Sequence, residues 1–356
     1  MDLGRHGLLV VAPVDHLLTQ LQKNLQLRND SNSTKDYSEK LIRMQPQSRS
    51  ALQGLVTLAL SAGKFDVAAQ RCAELVKVSP ESFEAHFNLA VASQILGKSD
   101  QAIRSYNDAL RLQPSSEKAL VNLGVALQEK GDLAEARKAY EKALQLKPDS
   151  TTALWNMAIV ADEQGDTEEA AILYAEAVSK KPDWEEAWFR LGYWQLQQHD
   201  YKSSIEAFTN CVKGRPDWSD AHLNLALAYW RQGEKNPARA ALEKAHAAQP
   251  KSTEILRALA TLTLEMNDLD KAVAYQAKLN QLGDRSAELA YNLGIALQSA
   301  NRFDDAAKAY GQALGANPEF AEANLNLGHV LKSLGKDEEA RACWDKALAV
   351  RSDLIQ

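Results

Sequence analysis

Apolar residues along this chain recur at the spacing of amphipathic helices, in pairs of segments separated by a short polar break. Residues 117–150 show the pattern. Leu120, Leu123 and Leu127 follow one another at i, i+3 and i+7, which places them on one face of a helix. Gly131 interrupts the pattern, and a second amphipathic stretch follows it. The segment therefore predicts two antiparallel helices joined by a tight turn.

Prolines mark a fixed period of 34 residues in the chain. The prolines at this interval are Pro46, Pro80, Pro114, Pro148, Pro182, Pro216 and Pro250. Asp284, Pro318 and Ser352 continue the same interval. Each proline ends a second helix, because it has no N–H to continue the hydrogen-bond ladder. Self-similarity at such a period is typical of stacked repeat proteins. Nine repeats are predicted over residues 49–354, beginning at residues 49, 83, 117, 151, 185, 219, 253, 287 and 321.

The break between the two helices of a repeat also follows the period. Most repeats have glycine there, and three have another residue: His199, Asn267 and Asn301. Asn and His are among the non-glycine residues that tolerate a left-handed backbone best. All nine breaks are therefore predicted to end the first helix through a left-handed residue.

The repeats share further residues that carry a family resemblance. In the repeat at 287–320 these residues are Leu293, Gly294, Ala306, Tyr310, Ala313 and Pro318. The pattern resembles the tetratricopeptide repeat. The resemblance implies an all-α fold, an α-solenoid of stacked antiparallel helix pairs wound into a right-handed superhelix. It also implies that the first helices line a concave groove that binds peptides or protein surfaces, and that the chain has no catalytic activity of its own.

Asparagine recurs at the sixth position of the first helix, which the resemblance places in the groove. The asparagines are Asn88, Asn122, Asn156, Asn224, Asn292 and Asn326, with Arg190 and Ala258 interrupting the series. Asparagine is mildly unfavourable inside a helix, so six in register call for an explanation. A ladder of amides offers donors and acceptors to the backbone of an extended peptide, similar to the asparagine-lined superhelix of the O-linked N-acetylglucosamine transferases. The glycosyltransferase region of those enzymes is absent here. The alternative, which is compatible with the first, is that asparagine at this position belongs to the repeat pattern and bonds a neighbouring turn.

Aromatic and basic side chains complete the candidate groove. We expect most residues at position 5 to pack between repeats, but four aromatic residues to face the groove: Trp155, Phe189, Tyr193 and Trp230. Tryptophan and tyrosine are effective interface anchors. Arg190 and Arg257 either receive an acidic group of a ligand or are simply solvated. Position 2 is mainly acidic; the helix dipole favours carboxylates there without any partner, and the alternative is that they favour basic peptides.

The two ends of the repeat array differ from its middle. Residues 15–48 fit a degenerate leading repeat or helical cap, preceded by a short segment at 1–14. At the other end, Trp344 and Leu348 belong to the last predicted helix and have no following helix to cover them. These two residues are therefore predicted to contact another copy of the chain or a partner. The least regular repeat, 253–286, is expected to change the local curvature.

Composition narrows the possible functions. The net charge of −6 and the pI near 5.7 argue against nucleic-acid binding, which needs a clustered basic surface. The three cysteines, Cys72, Cys211 and Cys343, lie far apart and form no metal or redox motif. They favour a reducing, cytoplasmic location. No apolar run is long enough to insert in a membrane.

The chemistry needed for catalysis is missing from the sequence. His86 and His222 occupy core positions of their repeats, so we interpret them as packed residues. Glycines occur singly at helix ends, which excludes a phosphate-binding loop, and no cofactor or metal is expected. The expected function is a protein–protein interaction scaffold that binds an extended segment of a protein partner in the groove. The alternative is a self-assembling structural protein that uses its C-terminal face and convex surface.

Overall fold

The computed structural model describes residues 42–43 and 47–351. The expected segment 1–14, most of the leading repeat 15–48, and residues 352–354 of the last repeat lie outside the described residues. The chain divides into two compact units, Met1–Asp183 and Trp184–Gln356, which we call the first and the second unit.

Helices are the only regular elements among the described residues, and they alternate with short turns. The helices of the first unit are α1 (Arg49–Ser61), α2 (Phe65–Val78), α3 (Phe83–Ile95), α4 (Ser99–Leu112), α5 (Glu117–Lys130), α6 (Leu133–Leu146), α7 (Thr151–Gln164) and α8 (Thr167–Lys180). The helices of the second unit are α9 (Glu185–Gln197), α10 (Tyr201–Gly214), α11 (Ser219–Gln232), α12 (Lys235–Ala248), α13 (Thr253–Glu265), α14 (Leu269–Gln281), α15 (Ala287–Ser299), α16 (Phe303–Ala316), α17 (Ala321–Ser333) and α18 (Asp337–Val350). Within each unit, the second helix of each pair packs on the first helix of the next pair. The predicted all-α solenoid of helix pairs is confirmed, and its right-handed sense stays a prediction.

The turn within each repeat has the predicted backbone. Every break residue has a positive φ, from 57° at Asn301 to 91° at Gly233, and His199 and Asn267 follow the same rule with 62° and 58°. The prediction of a left-handed residue at all nine breaks is therefore confirmed, including the three repeats without glycine.

The core of a repeat is built around an aromatic side chain at position 24. Tyr106, Tyr140, Tyr174 and Tyr310 are completely buried at this position. In the repeat at 117–150, Tyr140 lies against Gly124, where an added Cβ would come within 2.3 Å of the ring. Glycine is thus required for the close approach of the first helix to this ring.

The irregular repeat at 253–286 replaces these features with polar ones. Gln276 takes the place of the aromatic residue and is 2% exposed. Arg257 donates from Nη2 to Asp284 Oδ1 at 2.7 Å, so the substitutions at positions 5 and 32 compensate each other. Helix α14 ends one residue earlier than the regular second helices and turns through Gly283, which has a φ of 80°. The local geometry therefore differs here, and the expected change of curvature stays a prediction.

Candidate functional site

The first helices form one layer within each unit. Adjacent first helices contact one another directly: α3 with α5 and α5 with α7 in the first unit, and α9 with α11, α13 with α15 and α15 with α17 in the second. Positions 4, 7, 8 and 11 of these helices face the second helices, which leaves positions 2, 6, 9, 12 and 13 for the opposite surface. We call this surface the first-helix face.

In the first unit, the first-helix face is closely packed. Asn122 is only 8% exposed, and Val91 and Val125 at position 9 are each 5% exposed. Asn88 and Asn156 are half-buried. Burial thus leaves little of the amide series of this unit accessible to a ligand.

The asparagines of the second unit differ in their surroundings. Asn224 donates from Nδ2 to the carbonyl oxygen of Asp220, one turn earlier, at 2.8 Å. Asn326 donates to Tyr291 Oη in the preceding repeat at 3.1 Å. Asn292 is exposed. Asn224 thus bonds a neighbouring turn, as the alternative interpretation expected, whereas Asn326 bonds the preceding repeat. Asn292 is the most accessible amide of the three.

Two of the four aromatic residues expected in the groove instead pack within the repeats. Trp155 is 7% exposed and meets Tyr174 edge-on, with ring centroids 5.4 Å apart. Phe189 stacks on Trp218 at 4.6 Å. The expectation of exposure is wrong for Trp155, because position 5 points toward the buried aromatic ring of position 24 and not toward solvent.

The other two aromatic residues lie further along the first-helix face. Tyr193 is half-buried at position 9 of α9. Trp230 is also half-buried and donates from Nε1 to Glu265 Oε2 of the next repeat at 3.0 Å. These rings keep part of their surface accessible.

Exposed aliphatic side chains stand at position 9 of the second unit. Leu227 on α11 is 37% exposed and Ile295 on α15 is 39% exposed. Each follows an asparagine of the series by three residues, Asn224 and Asn292 respectively, so an amide and an aliphatic side chain are neighbours on the helix surface. This pairing is the most accessible combination of polar and apolar groups on the first-helix face.

The two arginines proposed for the groove have different environments. Arg257 forms the ion pair with Asp284 described above, and the hydrogen bond raises the pKa of its guanidinium. Its guanidinium therefore has an acidic partner within its own repeat, while the side chain is still 57% exposed. Arg190 is half-buried and forms no ion pair with the described residues.

A hydrogen-bond relay that the sequence analysis missed runs along the first unit. Tyr106 donates to Gln94 Oε1 at 2.9 Å, and Gln94 Nε2 donates to Glu129 of the next repeat at 3.1 Å. The same relay recurs one repeat later through Tyr140, Gln128 and Glu163. Burial raises the pKa of Glu129. The signal in the sequence is glutamine at position 12, tyrosine at position 24 and glutamate at position 13 of the next repeat.

The histidines at position 4 are structural, as expected. His86 is 6% exposed and His222 is 2% exposed. The Nε2 atoms lie 3.0 Å from the Pro80 carbonyl oxygen and 2.9 Å from the Pro216 carbonyl oxygen, so each imidazole donates to the preceding turn. Burial lowers the pKa of His222 and keeps it neutral at pH 7.

The last described helix, α18, presents a mixed surface. Trp344 occupies position 24, and its ring lies 5.6 Å from that of His329. A Cβ at Gly328 would come within 2.2 Å of Trp344 Nε1, so this side chain packs within its own repeat. Leu348 and Val350 are 36% and 47% exposed. Of the two residues expected to contact another chain, Leu348 is therefore the more accessible.

Cys72 and Cys211 are buried free thiols. Burial raises the pKa of Cys72 and of Cys211 to about 12, which keeps both thiols protonated at neutral pH. Within residues 42–43 and 47–351, no group of three or more His, Cys, Asp or Glu side chains is arranged to hold a metal ion. In that same part of the chain, no helix has both the length and the apolar character of a membrane span.

Comparison with known proteins points to one repeat family. Models described as tetratricopeptide repeat match residues 115–182 and 195–262. A third model with the same description matches residues 54–116, 156–209 and 291–353, which together make up just over half of the chain. No curated protein sequence matches the chain.

Several solved structures resemble the chain at low identity. YrrB, described as a TPR protein with an unusual peptide-binding site, is 22% identical over 54% of this chain and 98% of its own, with a TM-score of 0.48. PilF from Pseudomonas aeruginosa is 24% identical over 58% of this chain and 94% of its own, with a TM-score of 0.46. A tetratricopeptide-repeat protein from Parabacteroides merdae is 21% identical over 70% of this chain and 98% of its own, also with a TM-score of 0.46.

Proposed function

Because the chain belongs to the tetratricopeptide-repeat family, we propose that it is a non-catalytic interaction scaffold that binds an extended protein segment along the first-helix face. The observation that carries the proposal is the pair of exposed aliphatic residues, Leu227 and Ile295, on that face of the second unit. Each has an asparagine three residues before it.

The chemistry of these pairs suits an extended peptide. An amide side chain offers both a donor and an acceptor to a peptide backbone, while an exposed aliphatic group gains about 25 cal/mol for each Å² that a ligand covers. The arrangement is repeated on α11 and α15, two repeats apart. An extended segment is therefore expected to place one apolar side chain at Leu227 and another at Ile295.

The second unit is the more suitable part of the chain for this ligand. In the first unit the side chains at position 9 of α3 and α5 are buried and offer no comparable apolar contact. On the second unit, Glu254 and Glu288 are exposed near the start of α13 and α15 and form no ion pair with the described residues. These carboxylates favour a segment with lysine or arginine, and the net charge of −6 supports a protein partner over a nucleic acid. A cytoplasmic location is part of the same proposal.

The test uses a selected ligand, because the natural partner is unidentified. Peptides from a random displayed library are selected on the immobilised full-length chain, and the Kd of the best peptide is measured by fluorescence anisotropy. We expect the Leu227→Ser, Ile295→Ser double variant to raise the Kd by about tenfold or more, since two apolar contacts worth about 1 kcal/mol each are lost. Leu282→Ser is the matched control, because Leu282 is 41% exposed at the end of α14 and lies off this face. Equal binding of all three proteins would rule out the first-helix face as the binding site.

Self-association is a second candidate, which the exposed Leu348 and Val350 on α18 favour. Sedimentation velocity of the full chain over a wide concentration range tests it. Under this candidate the chain dimerises, and Leu348→Glu restores the monomer. A wild-type chain that stays monomeric at the highest concentration contradicts it.

A further inference from the structure

Two grooves open between second helices, one inside each unit. The first lies between α4 and α6 and has a volume of about 740 Å³. The second lies between α16 and α18 and has a volume of about 550 Å³. First helices α5 and α17 form the floors, so both grooves lie on the side of the helix layers opposite to the first-helix face.

The two grooves are built from equivalent positions of repeats that are six periods apart. Leucines at positions 7 and 11 form the floor, and a lysine at position 26 stands on the rim. In the first groove these residues are Leu123, Leu127 and Lys142, and in the second they are Leu327, Leu331 and Lys346. A glutamate at position 19 lines each groove as well. The same combination of floor and rim residues therefore occurs in both units.

Each rim carries both paired and unpaired lysines. Lys138 pairs with Glu135 at 2.6 Å in the first groove, and Lys308 pairs with Asp305 at 3.4 Å in the second. Lys142 is exposed and forms no ion pair with any described residue, and Lys346 is in the same situation. Their charge is thus available to a ligand placed over the leucine floor.

The apolar floor is accessible only to side chains that enter the groove. Leu123 is 8% exposed and Leu331 is 6% exposed, so both present a narrow strip at the bottom. At the end of the first groove, Leu146 is 48% exposed and extends the apolar surface toward solvent. The rim positions 19 and 26 are seven residues apart on one helix, a distance of about 10 Å, which matches two turns of a ligand helix lying along the groove.

We propose that each groove binds an acidic amphipathic helix of a partner protein. Aliphatic side chains at i, i+3 or i+4, and i+7 of that helix lie on the leucine floor, which is the usual anchor spacing for a helix in a groove. A carboxylate on its flank pairs with Lys142 in the first groove or with Lys346 in the second. This site is separate from the first-helix face and does not depend on the function proposed for it.

The experiment uses two designed helical peptides as probes. One is a fluorescein-labelled peptide of about 16 residues, long enough for four turns, with leucines at the anchor positions and glutamates on the flanks. The other has lysine in place of every glutamate. Binding to the full-length chain is measured by anisotropy at low and at physiological salt, because charge pairing weakens as salt screens it. The variants are Lys142→Glu with Lys346→Glu, and Lys202→Glu as a control from an exposed site on α10 outside both grooves.

We expect the Kd of the acidic peptide to be lower than that of the lysine peptide by a factor of about ten or more, a difference in binding free energy of about 1.4 kcal/mol. The double variant Lys142→Glu, Lys346→Glu, which we call the double reversal, should abolish that preference, and Lys202→Glu should leave it intact. Lys142→Ala with Lys346→Ala, which removes charge without adding repulsion, should give an intermediate loss. Equal affinity for the two peptides, or equal binding to the wild type and the double reversal, would overturn the proposal.

Two further outcomes would locate the ligand elsewhere. If Leu227→Ser with Ile295→Ser abolishes binding of the acidic peptide, the peptide occupies the first-helix face and the groove proposal fails. If sedimentation shows that the wild type dimerises and the double reversal at Lys142 and Lys346 does not, the occupant is a second copy of the chain and not an acidic partner helix. Circular dichroism of each variant verifies that the helices are retained.

Discussion

Replacing Gln276 by leucine is expected to stabilise the repeat at 253–286. Gln276 stands at position 24, where most other repeats bury an aromatic ring, and it is 2% exposed. Its Oε1 atom is buried without a hydrogen-bond partner among the described residues. Its Nε2 atom reaches Asn280 Oδ1 only at 3.5 Å, which is at the limit of a hydrogen bond.

The size of the effect follows from these contacts. A buried acceptor without a partner costs about 1–3 kcal/mol, and a marginal hydrogen bond contributes about 0.5 kcal/mol at most. Leucine removes the unpaired acceptor and loses the marginal hydrogen bond, so the net gain in stability is about 1–2 kcal/mol. The fold already accepts leucine at this position, because Leu242 occupies position 24 of the preceding repeat and is 1% exposed.

Hydrogen exchange is the suitable assay, because a repeat array does not unfold as a single two-state unit. Amides in α14 should gain about tenfold in protection for a gain near 1.4 kcal/mol, while amides in α3 and α5 should be unchanged. Leu242→Gln is the matched control and should lose protection in α12 by a similar factor. Lower protection of α14 in Gln276→Leu would refute the reasoning, since it would mean that the buried amide is satisfied by water.

Two further predictions concern packing and pH. Gly124→Ala should destabilise the first unit by about 1–3 kcal/mol in urea unfolding, because the added methyl overpacks the Tyr140 ring. Gly192→Ala should destabilise the chain less, since its methyl would approach an aromatic ring only to 3.1 Å. Equal losses of stability in the two variants would contradict this reasoning. Burial lowers the pKa of His222 from 6.5 in the folded chain, so the unfolded chain binds the proton first and stability falls as the pH drops below about 6.5. His222→Asn, which keeps a donor for Pro216 and does not titrate, should lose less thermal stability between pH 7 and pH 5, and an unchanged pH slope would refute this.

The sequence predicted the features of the fold that recur in every repeat. The left-handed break could be derived even at His199, Asn267 and Asn301, because a backbone requirement at a fixed position leaves few residue types to choose from. Burial of His86 and His222 was predicted for a similar reason, since position 4 lies on the face between the two helices of a repeat.

The environment of the candidate site was less predictable, because it depends on contacts between repeats. Helical periodicity places position 5 near the groove, but whether Trp155 faces solvent is decided by Tyr174 on the adjacent helix. The pairing of Arg257 with Asp284 links residues 27 apart, a distance over which the pattern of one helix has no predictive value. Single positions can be assigned to a helix face from sequence, whereas partners across the turn require the packed structure.

Helix α17 carries residues that belong to two different surfaces of the chain. Its Leu327 and Leu331 line the groove beside α18, whereas Asn326 bonds Tyr291 on α15, the helix that also carries Ile295. Residues 326 and 327 are about 100° apart around the helix axis, so one helix supplies a floor to the groove and a fixed contact to the neighbouring first helix. A ligand on the first-helix face and a ligand in the groove therefore contact different sides of α17, and neither covers the residues that the other needs.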